Sequence, residues 1–566
     1  MNKKKNLLII FVLLLITVLN AQYSLKIGNV YPGEVEIGGF SLAQNSHIEI
    51  TGEAASFGEW NNYLEYYAWI VKTDTREVVW QSKNCEDYNK SDGEYDLDSE
   101  IKLKSGNYEV YFAAANDKNK SLDNGGVIFL NGLFNKKKLN INEYYKNFFV
   151  KIYSDRGLKI KNGYNLVDGR NKNAIVSLIR VGDDEKLTKS FSLNADTKIK
   201  IYGLGEGTKR EFYDFGYIYD VVNNKIVWTF NREDKHYAGG GKKNIKEEAE
   251  ILLPKGSYTV IYKTDNSHSF DEWNTLPPND PQYWGITLFL KNENDKDNII
   301  PFNKNDIVEP VIKITEVEDD ELISKGFTLK KPLKLRVFVI GEGEHHKLAD
   351  YGWIENADTK EIVWEMDYDK TEHAGGAKKN RISDEIIELD AGNYIAFYKT
   401  DDSHNYGDWN KTPPYLEEKW GISIYTINKK DKAYIKAFAT RKYVNKSIIA
   451  EIVKVGDNKE LDKDFTLKRD SYVKIIAIGE SRGNKLVDYA WITNNSGKIV
   501  WEMTFSETKH AGGALKNRIF NDTIKLKAGK YTLHYKTDSF HSYEGWNSIP
   551  PSRPEMYGVT LLEIGE

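Results

Sequence analysis

Hydrophobic and polar residues alternate with a period of two along most of the chain. Segments such as TKIKIYGLG (197–205), LKLRVFVIG (333–341) and YVKIIAIG (472–479) alternate or are rich in β-branched and aromatic residues, and each ends at a glycine. This pattern is typical of β-strands with one buried face. No stretch of ordinary helix length shows a convincing amphipathic period. The sequence therefore predicts an all-β protein.

The strand pattern recurs at a nearly constant interval. The segments KIVW, EIVW and KIVW end at Trp228, Trp364 and Trp501, which are 136 and 137 residues apart. A fourth, divergent copy near the N-terminus keeps EVVW, which ends at Trp80. Because these tryptophans end apolar strands in every copy, we expect them in the cores. Such regular self-similarity indicates a tandem array of one structural module.

Each module is predicted to be a β-sandwich of jelly-roll type, because about seven to nine short strands fall within about 125 residues. EIIELDAGNYIAFYKTD (385–401) predicts a hairpin around an Ala-Gly-Asn turn. The predicted modules span 22–130, 173–295, 310–428 and 447–566, separated by linkers at 131–172, 296–309 and 429–446. The first linker contains YYKNFFVKIY (144–153), which is predicted to add an extra strand to a neighbour.

The N-terminal segment has the pattern of a secretory signal peptide. Lysines at 3–5 precede an apolar run at 7–19, and Ala21 offers a small residue for cleavage. This run is short for a bilayer span, which needs about 20 residues. We therefore expect residues 1–21 to be a signal peptide, and the mature chain to be secreted, periplasmic or on the cell surface without a membrane span. The alternative is an uncleaved membrane anchor.

Charge and cysteine content narrow the class of protein further. The formal net charge is −5, so no basic surface for nucleic acid is expected. Cys85 is the only cysteine, which excludes an intrachain disulfide. Each module must therefore be stabilised by its own core. The Lys-, Asn- and Ile-rich composition is typical of a bacterial exported protein.

The modules resemble the pre-peptidase C-terminal class of bacterial β-sandwich modules. The matching features in module 4 are Phe465 to Leu467, Asp488 to Trp491, and Leu526 to Tyr531. The resemblance implies an accessory module of an exported protein, involved in binding or in retention at a surface. Two loops that modules 2 to 4 share are not part of that pattern.

The first of these loops, the Gly-Gly loop, follows a histidine and reads AGGGKK (238–243), AGGAKK (374–379) and AGGALK (511–516). The second, the His loop, spans 264–274, 400–410 and 537–547 and carries an aspartate three residues before a histidine. A histidine from one loop with an aspartate and a histidine from the other predicts a site for zinc or another divalent metal. The predicted ligands are His236, Asp265 and His268, His373, Asp401 and His404, and His510, Asp538 and His541.

Several other interpretations of these loops remain open. The interpretation that we favour over a metal site is that each histidine is a hydrogen-bonded brace that ties two loops together through backbone carbonyls. Calcium is conceivable from the aspartates and asparagines at 401–408, although the spacing of a helical calcium loop is missing. A Ser-His-Asp triad is rejected because Asp401, Ser403 and His404 are too close in sequence to point inward together. The Gly-Gly loop also lacks the spacing of a phosphate-binding loop.

Tryptophans and basic residues in the loops predict a binding surface. An indole in a rigid polar loop suits stacking on a sugar or packing against a protein, although it is also consistent with a small satellite core. Lys379 and Arg381 are candidates to contact an anionic ligand. The predicted ligand-binding residues are Trp273, Asn274, Lys379, Arg381, Trp409, Asn410, Trp546 and Asn547.

These features favour an exported, non-enzymatic binding protein. Three equal loop surfaces on one chain suit multivalent binding of an extracellular glycan or protein surface. The alternatives are a metal-dependent enzyme or metal-binding protein that uses the His-Asp-His loops, and a structural surface or matrix protein whose loops brace module junctions.

Overall fold

The computed structural model describes residues 24–31, 33–55, 64–86, 94–116, 127–128, 139–140, 145–208, 211–230 and 236–564. The predicted signal peptide, 1–21, lies outside these residues. The described chain is all-β and is built from antiparallel sheets, which confirms the predicted fold class. It divides into two compact units, Met1–Glu309 with modules 1 and 2, and Pro310–Glu566 with modules 3 and 4.

Module 1 is a sandwich whose two layers form one continuous sheet. Its elements are β1 (Ser24–Gly28), β2 (Val35–Leu42), β3 (Ser46–Ala55), β4 (Leu64–Lys72), β5 (Val78–Gln81), β6 (Glu94–Leu103), β7 (Gly106–Asn116), β8 (Val127–Ile128), β9 (Leu139–Asn140), β10 (Phe149–Ser154), β11 (Lys159–Asn162) and α1 (Gly163–Asn171). The layer of β1, β10, β3 and β6 meets the layer of β5, β4, β7, β2 and β11 at one pair, Ala55 with Tyr66. Strand β10 arises from the predicted first linker and pairs with β1 and β3.

Module 2 consists of two separate sheets. Its strands are β12 (Ala174–Ile179), β13 (Lys186–Leu193), β14 (Thr197–Glu206), β15 (Phe215–Asp220), β16 (Lys225–Thr229), β17 (His236–Tyr237), β18 (Asn244–Leu253), β19 (Gly256–Lys263), β20 (Gly285–Leu290) and β21 (Ile299–Ile300). The sheet orders are β12-β20-β14-β18-β17 and β16-β15-β19-β13-β21. Strand β21 lies in the predicted linker 296–309 and pairs with β13.

Modules 3 and 4 repeat this topology with two differences among the described residues: each adds a two-residue strand to its first sheet, and the second sheet of module 4 has four strands. Module 3 has β22 (Ile312–Thr315), β23 (Leu322–Leu329), β24 (Leu333–Glu344), β25 (Lys347–Leu348), β26 (Tyr351–Asn356), β27 (Ile362–Glu365), β28 (Glu372–His373), β29 (Asn380–Leu389), β30 (Gly392–Lys399), β31 (Gly421–Thr426) and β32 (Ile435–Phe438). Module 4 has β33 (Ile448–Val453), β34 (Glu460–Leu467), β35 (Ser471–Arg482), β36 (Lys485–Leu486), β37 (Tyr489–Asn494), β38 (Ile499–Glu502), β39 (Lys509–His510), β40 (Asn517–Leu526), β41 (Gly529–Lys536) and β42 (Gly558–Ile564).

The hairpin predicted at 385–401 is wrong. Strand β29 pairs with β24 and β28 in one sheet, whereas β30 pairs with β23 and β26 in the other. The Asp390–Ala391 turn therefore carries the chain from one sheet to the opposite one. Strand periodicity predicts each strand correctly. It does not distinguish a hairpin from a turn between opposite sheets, because both arrangements bury alternate side chains.

The sandwich cores are formed by the alternating apolar positions. In module 4, Val473, Ile475 and Ala477 of β35 are fully buried in one core cluster. Three of the tryptophans expected in cores, Trp80, Trp364 and Trp501, are buried, whereas Trp228 is partly exposed. No helix in the described part of the chain is long and apolar enough to cross a membrane.

Candidate functional site

The His-loop histidines lie inside an aromatic cluster at one end of each of modules 2 to 4. His268 is 0% exposed and meets Trp273 and Trp284 edge to face at ring-centroid distances of 5.1 and 5.7 Å. The two indoles are themselves in edge contact at 5.0 Å. The same cluster comprises His404, Trp409 and Trp420 in module 3, and His541, Trp546 and Tyr557 in module 4.

An asparagine ties three loops to this cluster. The Asn244 side-chain amide donates to Gly239 O in the Gly-Gly loop at 2.8 Å and to Leu276 O at 2.9 Å. Its Oδ1 lies 2.5 Å from His268 Nε2. Leu276 opens a third element, the Pro-Pro segment (276–281, 412–417 and 549–554). Asn380 and Asn517 make the same three contacts in modules 3 and 4.

This network determines which nitrogen of the histidine carries the proton and keeps the imidazole neutral. Because the Asn244 amide nitrogen donates twice, its Oδ1 must accept, so His268 Nε2 carries the proton. Burial lowers the pKa of His268 to about 2, of His404 to about 3 and of His541 to about 4. The three imidazoles are therefore neutral near pH 7. The three histidine residues also adopt a left-handed backbone conformation, with φ of 59 to 62°. The surrounding contacts must stabilise this conformation.

The Gly-Gly loop is glycine-rich because its backbone touches the Pro-Pro segment. Gly240, Gly376 and Gly513 have φ of +64 to +66°. A Cβ at Gly240 would lie 1.9 Å from Pro277 O, and the other two positions are equally closed. These glycines permit both the turn and the close approach of two backbones.

The first-loop histidines do not occupy one repeated position. In module 2 the strand register places Tyr237 opposite Ile245. The equivalent cross-strand pairs are His373 with Arg381 in module 3 and His510 with Arg518 in module 4. His236 is one residue earlier, so equal sequence spacing misaligned it. Tyr237, His373 and His510 each contact a carbonyl of their own Gly-Gly loop, at 2.5, 3.0 and 3.1 Å.

The predicted His-Asp-His metal set is not assembled. His268 and its counterparts bond the asparagine, and His373 and His510 contact backbone carbonyls. The groups of three or more ligating side chains found among the described residues are acidic trios without histidine. They are Glu206, Asp214 and Asp265, then Glu342, Asp350 and Asp401, then Glu480, Asp488 and Asp538.

Each acidic trio is anchored by protein donors. Asp214 accepts the Asp265 backbone N–H at 2.9 Å and the Trp284 indole N–H at 3.0 Å. Lys243 Nζ lies 3.0 Å from Glu206 Oε1. Burial raises the pKa of Glu206 to about 7, and raises that of Asp214 well above its ordinary value. The carboxylate oxygens suit a hard cation such as calcium, but the lysine ammonium already supplies positive charge there.

The predicted ligand-binding residues are mostly engaged within the loops. Lys379 Nζ bonds Asn410 Oδ1 at 2.7 Å and Glu342 Oε1 at 3.0 Å. Arg381 bonds the Thr371 hydroxyl and carbonyl at 2.8 and 2.6 Å. In module 4 Asn547 accepts from Lys516 at 2.5 Å, and in module 2 the Asn274 side chain interacts with His268. Trp273 is 0% exposed, whereas Trp409 and Trp546 are partly exposed.

The sequence assigned no site role to the asparagine or to the acids Glu206 and Asp214 with their counterparts, of which Asp488 was named only as a feature of the resemblance. One signal was available. An asparagine follows the Gly-Gly loop in modules 2 to 4, and Glu94 stands at the matching strand start in module 1. Partners 24 residues apart, such as His268 and Asn244, cannot be paired without the fold.

Comparison of the chain with protein-family models and with curated proteins gave no match.

Proposed function

We propose that the protein is an exported, non-enzymatic array of β-sandwich modules whose repeated loops join consecutive modules in pairs. The observation that carries this proposal is the burial of the module 2 loops against module 1. The Trp273 backbone N–H donates to Gly33 O at 3.0 Å, and the Trp69 indole donates to Asn279 O at 2.8 Å. Both tryptophans belong to one buried cluster that spans the two modules.

A buried charge pair supports the same junction. Arg76 of module 1 bonds both oxygens of Glu109, at 2.6 and 2.9 Å, and both oxygens of Asp280 from module 2. All three side chains are at least nine-tenths buried. Breaking such a pair from one side costs about 3–5 kcal/mol, because the remaining charge stays buried.

The second unit has a junction at the same repeat positions. Arg553 of module 4 occupies the position that Asp280 has in module 2. Its Nη2 lies 3.1 Å from Oε2 of Glu355 in module 3. Its Nη1 donates to Lys360 O at 3.1 Å, and the Tyr351 hydroxyl donates to Ser552 O at 3.4 Å. The Pro-Pro segment of module 4 thus contacts module 3 as that of module 2 contacts module 1.

The buried, neutral and hydrogen-bonded form of the His-loop histidines also favours a structural role. A buried imidazole with its pKa lowered to between about 2 and about 4 is unsuited to proton transfer near pH 7. In each module its Nε2 is bonded to an asparagine. The resemblance to pre-peptidase C-terminal modules and the export of the chain remain predictions that are consistent with this role.

Limited proteolysis of the full chain tests the proposal. We expect Arg76→Ala and Arg553→Ala to accelerate cleavage between modules and to lower the unfolding temperature of the corresponding unit. The matched control is Arg336→Ala, which removes an Arg–Asp pair with Asp384 on an exposed strand surface. Unchanged cleavage and stability in both junction variants would exclude the loops as junction elements.

A second candidate function, binding by the loop surface, is favoured by module 4 alone. Leu515, Phe540 and Ile549 are 89, 56 and 59% exposed, where module 3 carries Lys378, Ser403 and Thr412. Apolar side chains exposed in this way suit a protein surface better than a glycan. Exchanging the three for their module 3 counterparts should abolish retention of the chain on its producing cells and leave its unfolding temperature unchanged. Retention that survives the exchange would remove this candidate.

A further inference from the structure

A polar cleft of about 190 Å³ lies where modules 1 and 2 meet. One wall is the turn of module 1 that contains Asp74 and Arg76, and the other walls come from module 2 and from the end of α1. The volume corresponds to about six water molecules at about 30 Å³ each. It is well below the range of about 300–1,000 Å³ typical of sites for drug-sized ligands.

The cleft offers balanced donors and acceptors. Asp74 and Glu248 are exposed acids in its lining, Arg170 and Lys246 are bases there, and Lys246 Nζ lies 3.4 Å from Glu248 Oε2. Arg76 and Asp280 also line it but are already bonded to each other. Because the lining charges cancel, the cleft is suited neither to a polyphosphate nor to a free cation.

Arg170 is held in place while part of its guanidinium lacks a partner. The group lies 4.6 Å from the Tyr283 ring centroid and 5.2 Å from that of Tyr202. Its Nη1 is 4.0 Å from Asp280 Oδ2, beyond hydrogen-bond distance, and has no hydrogen-bond partner among the described residues. A buried donor without a partner is unfavourable unless a ligand or water satisfies it.

Tyr237 supplies an exposed aromatic face at the cleft. The residue is 64% exposed, and its hydroxyl donates to Gly240 O at 2.5 Å. The side chain is therefore ordered without being covered. Modules 3 and 4 carry His373 and His510 at this position, so the tyrosine is particular to module 2.

We infer that this cleft binds a small polyhydroxylated ligand, namely one sugar residue of a glycan. Sugar hydroxyls both donate and accept, which matches paired carboxylate and guanidinium groups, and a sugar ring packs against an aromatic face. The site differs from the loop tryptophans that sequence analysis favoured, because it needs module 1. It rests on the junction of the proposed function, since Asp74 and Tyr237 come from different modules.

A glycan array that presents neutral and acidic oligosaccharides, probed with the full chain, tests the inference. We expect binding to a defined set of glycans, and at least a tenfold weaker affinity for those glycans in Tyr237→Ala and in Asp74→Ala. His510→Ala, at the equivalent position of module 4, is the matched control and should bind as the unaltered chain does. Absence of binding to every glycan, or unaltered binding in both cleft variants, would overturn the proposal.

Calorimetry on the same variants separates this inference from the junction itself. Tyr237 and Asp74 are exposed, so their truncation should leave the unfolding temperature within about 2 °C of the unaltered chain. Arg76→Ala should lower the unfolding temperature and also weaken glycan binding. If Arg76→Ala leaves stability unchanged while Tyr237→Ala abolishes binding, the Arg76 charge pair does not hold the two modules together, whereas the sugar site stands. If Arg76→Ala lowers the unfolding temperature while Tyr237→Ala leaves glycan binding unaltered, the junction stands and only the sugar site is excluded.

Discussion

The two module junctions carry opposite charges at one repeat position of the Pro-Pro segment, Asp280 in module 2 and Arg553 in module 4. In the first unit module 1 contributes the base, Arg76, and module 2 contributes the acid, Asp280. In the second unit module 3 contributes the acid, Glu355, and module 4 contributes the base, Arg553. The backbone is equivalent, since Arg76 and Lys360 both end a left-handed turn with φ of 56 and 58°. The repeat therefore fixes where a junction forms, and the charges select which modules can form it.

Wrong pairings would bury like charges. A module 4 loop surface on module 1 would place Arg553 beside Arg76, which Glu109 partly compensates, and a module 2 loop surface on module 3 would place Asp280 beside Glu355, which Lys360 partly compensates. Buried like charges are unfavourable, and Glu109 and Lys360 offset part of that cost, so the charges favour the native pairings over otherwise similar ones. This discrimination guards a repeat protein against misassembly between neighbours of similar sequence.

Removing the indole at the repeat position of Trp69, which the first junction covers, should have the largest effect. Trp353 and Trp491 occupy one repeat position, and both stack on a cross-strand ring, at 4.9 and 4.8 Å. Trp353 is 1% exposed, whereas Trp491 is partly exposed. We expect Trp353→Ala to cost about 3–5 kcal/mol and Trp491→Ala about half as much, measured by chemical denaturation. Equal costs would mean that the junction adds nothing at this position.

Charge reversal at one junction should cost about 3 kcal/mol. Asp280→Arg gives module 2 the residue of module 4 and leaves two arginines competing for Glu109. Adding Arg76→Glu to this variant should restore a complementary pair and recover at least half of the lost stability. The measurement is a double-mutant cycle on the unfolding free energy of the full chain. Strictly additive effects would argue against a charge-selected junction.

The stability of the loops in each of modules 2 to 4 depends on the buried histidine of the His loop. His541→Ala should cost about 2–3 kcal/mol, because it opens a cavity beside Trp546 and removes the partner of Asn517 Oδ1. The exposed His47 of β3 is the control, and its substitution should be neutral within about 0.5 kcal/mol. A neutral His541→Ala would show that the loops are held by their backbone alone.

The same histidines make the loops sensitive to acid. Their pKa values are lower in the folded chain than in the unfolded chain, which binds the extra protons. Stability from these groups is therefore fully present above about pH 6.5 and is lost as the pH falls towards about 4 and below. His541→Ala should flatten this acid limb in addition to lowering stability at pH 7.

Much of the fold follows from residue patterns, and little of the site does. Alternation in 472–479 predicted the strand that the structure extends over Ser471–Arg482. Repeat spacing predicted three equal modules, yet it matched His236 to His373 although Tyr237 is the structural equivalent. A one-residue difference in a loop is invisible to spacing but is fixed by strand register.

Contacts between distant segments were equally out of reach. Arg76 and Asp280 are 204 residues apart. Nothing local to either residue indicates the other. The tryptophans of the His loops illustrate the same limit, because a polar sequence context suggested exposure while Trp273 is completely buried by a histidine, a second indole and module 1.

The smallest effect should be a pH dependence confined to the second junction. Glu555 lies beside Arg553, and burial raises its pKa to about 7. Module 2 has Gln282 at this position, so the first junction has no titrating group there. The folded second unit holds a proton that the unfolded chain releases between about pH 4.5 and pH 7, so its stability falls as the pH rises through that window.

Replacing the glutamate by its neutral counterpart isolates this contribution. Glu555→Gln should remove about 1–2 kcal/mol of the decline between pH 5 and pH 8, since one pKa unit corresponds to about 1.4 kcal/mol. Buried acids elsewhere, such as Asp488 with its pKa raised to about 7, contribute equally to both proteins and cancel in the difference. Parallel stability curves for the variant and the unaltered chain would show that Glu555 is ionised throughout this range, and that Arg553 and Lys360 compensate both acids of the junction.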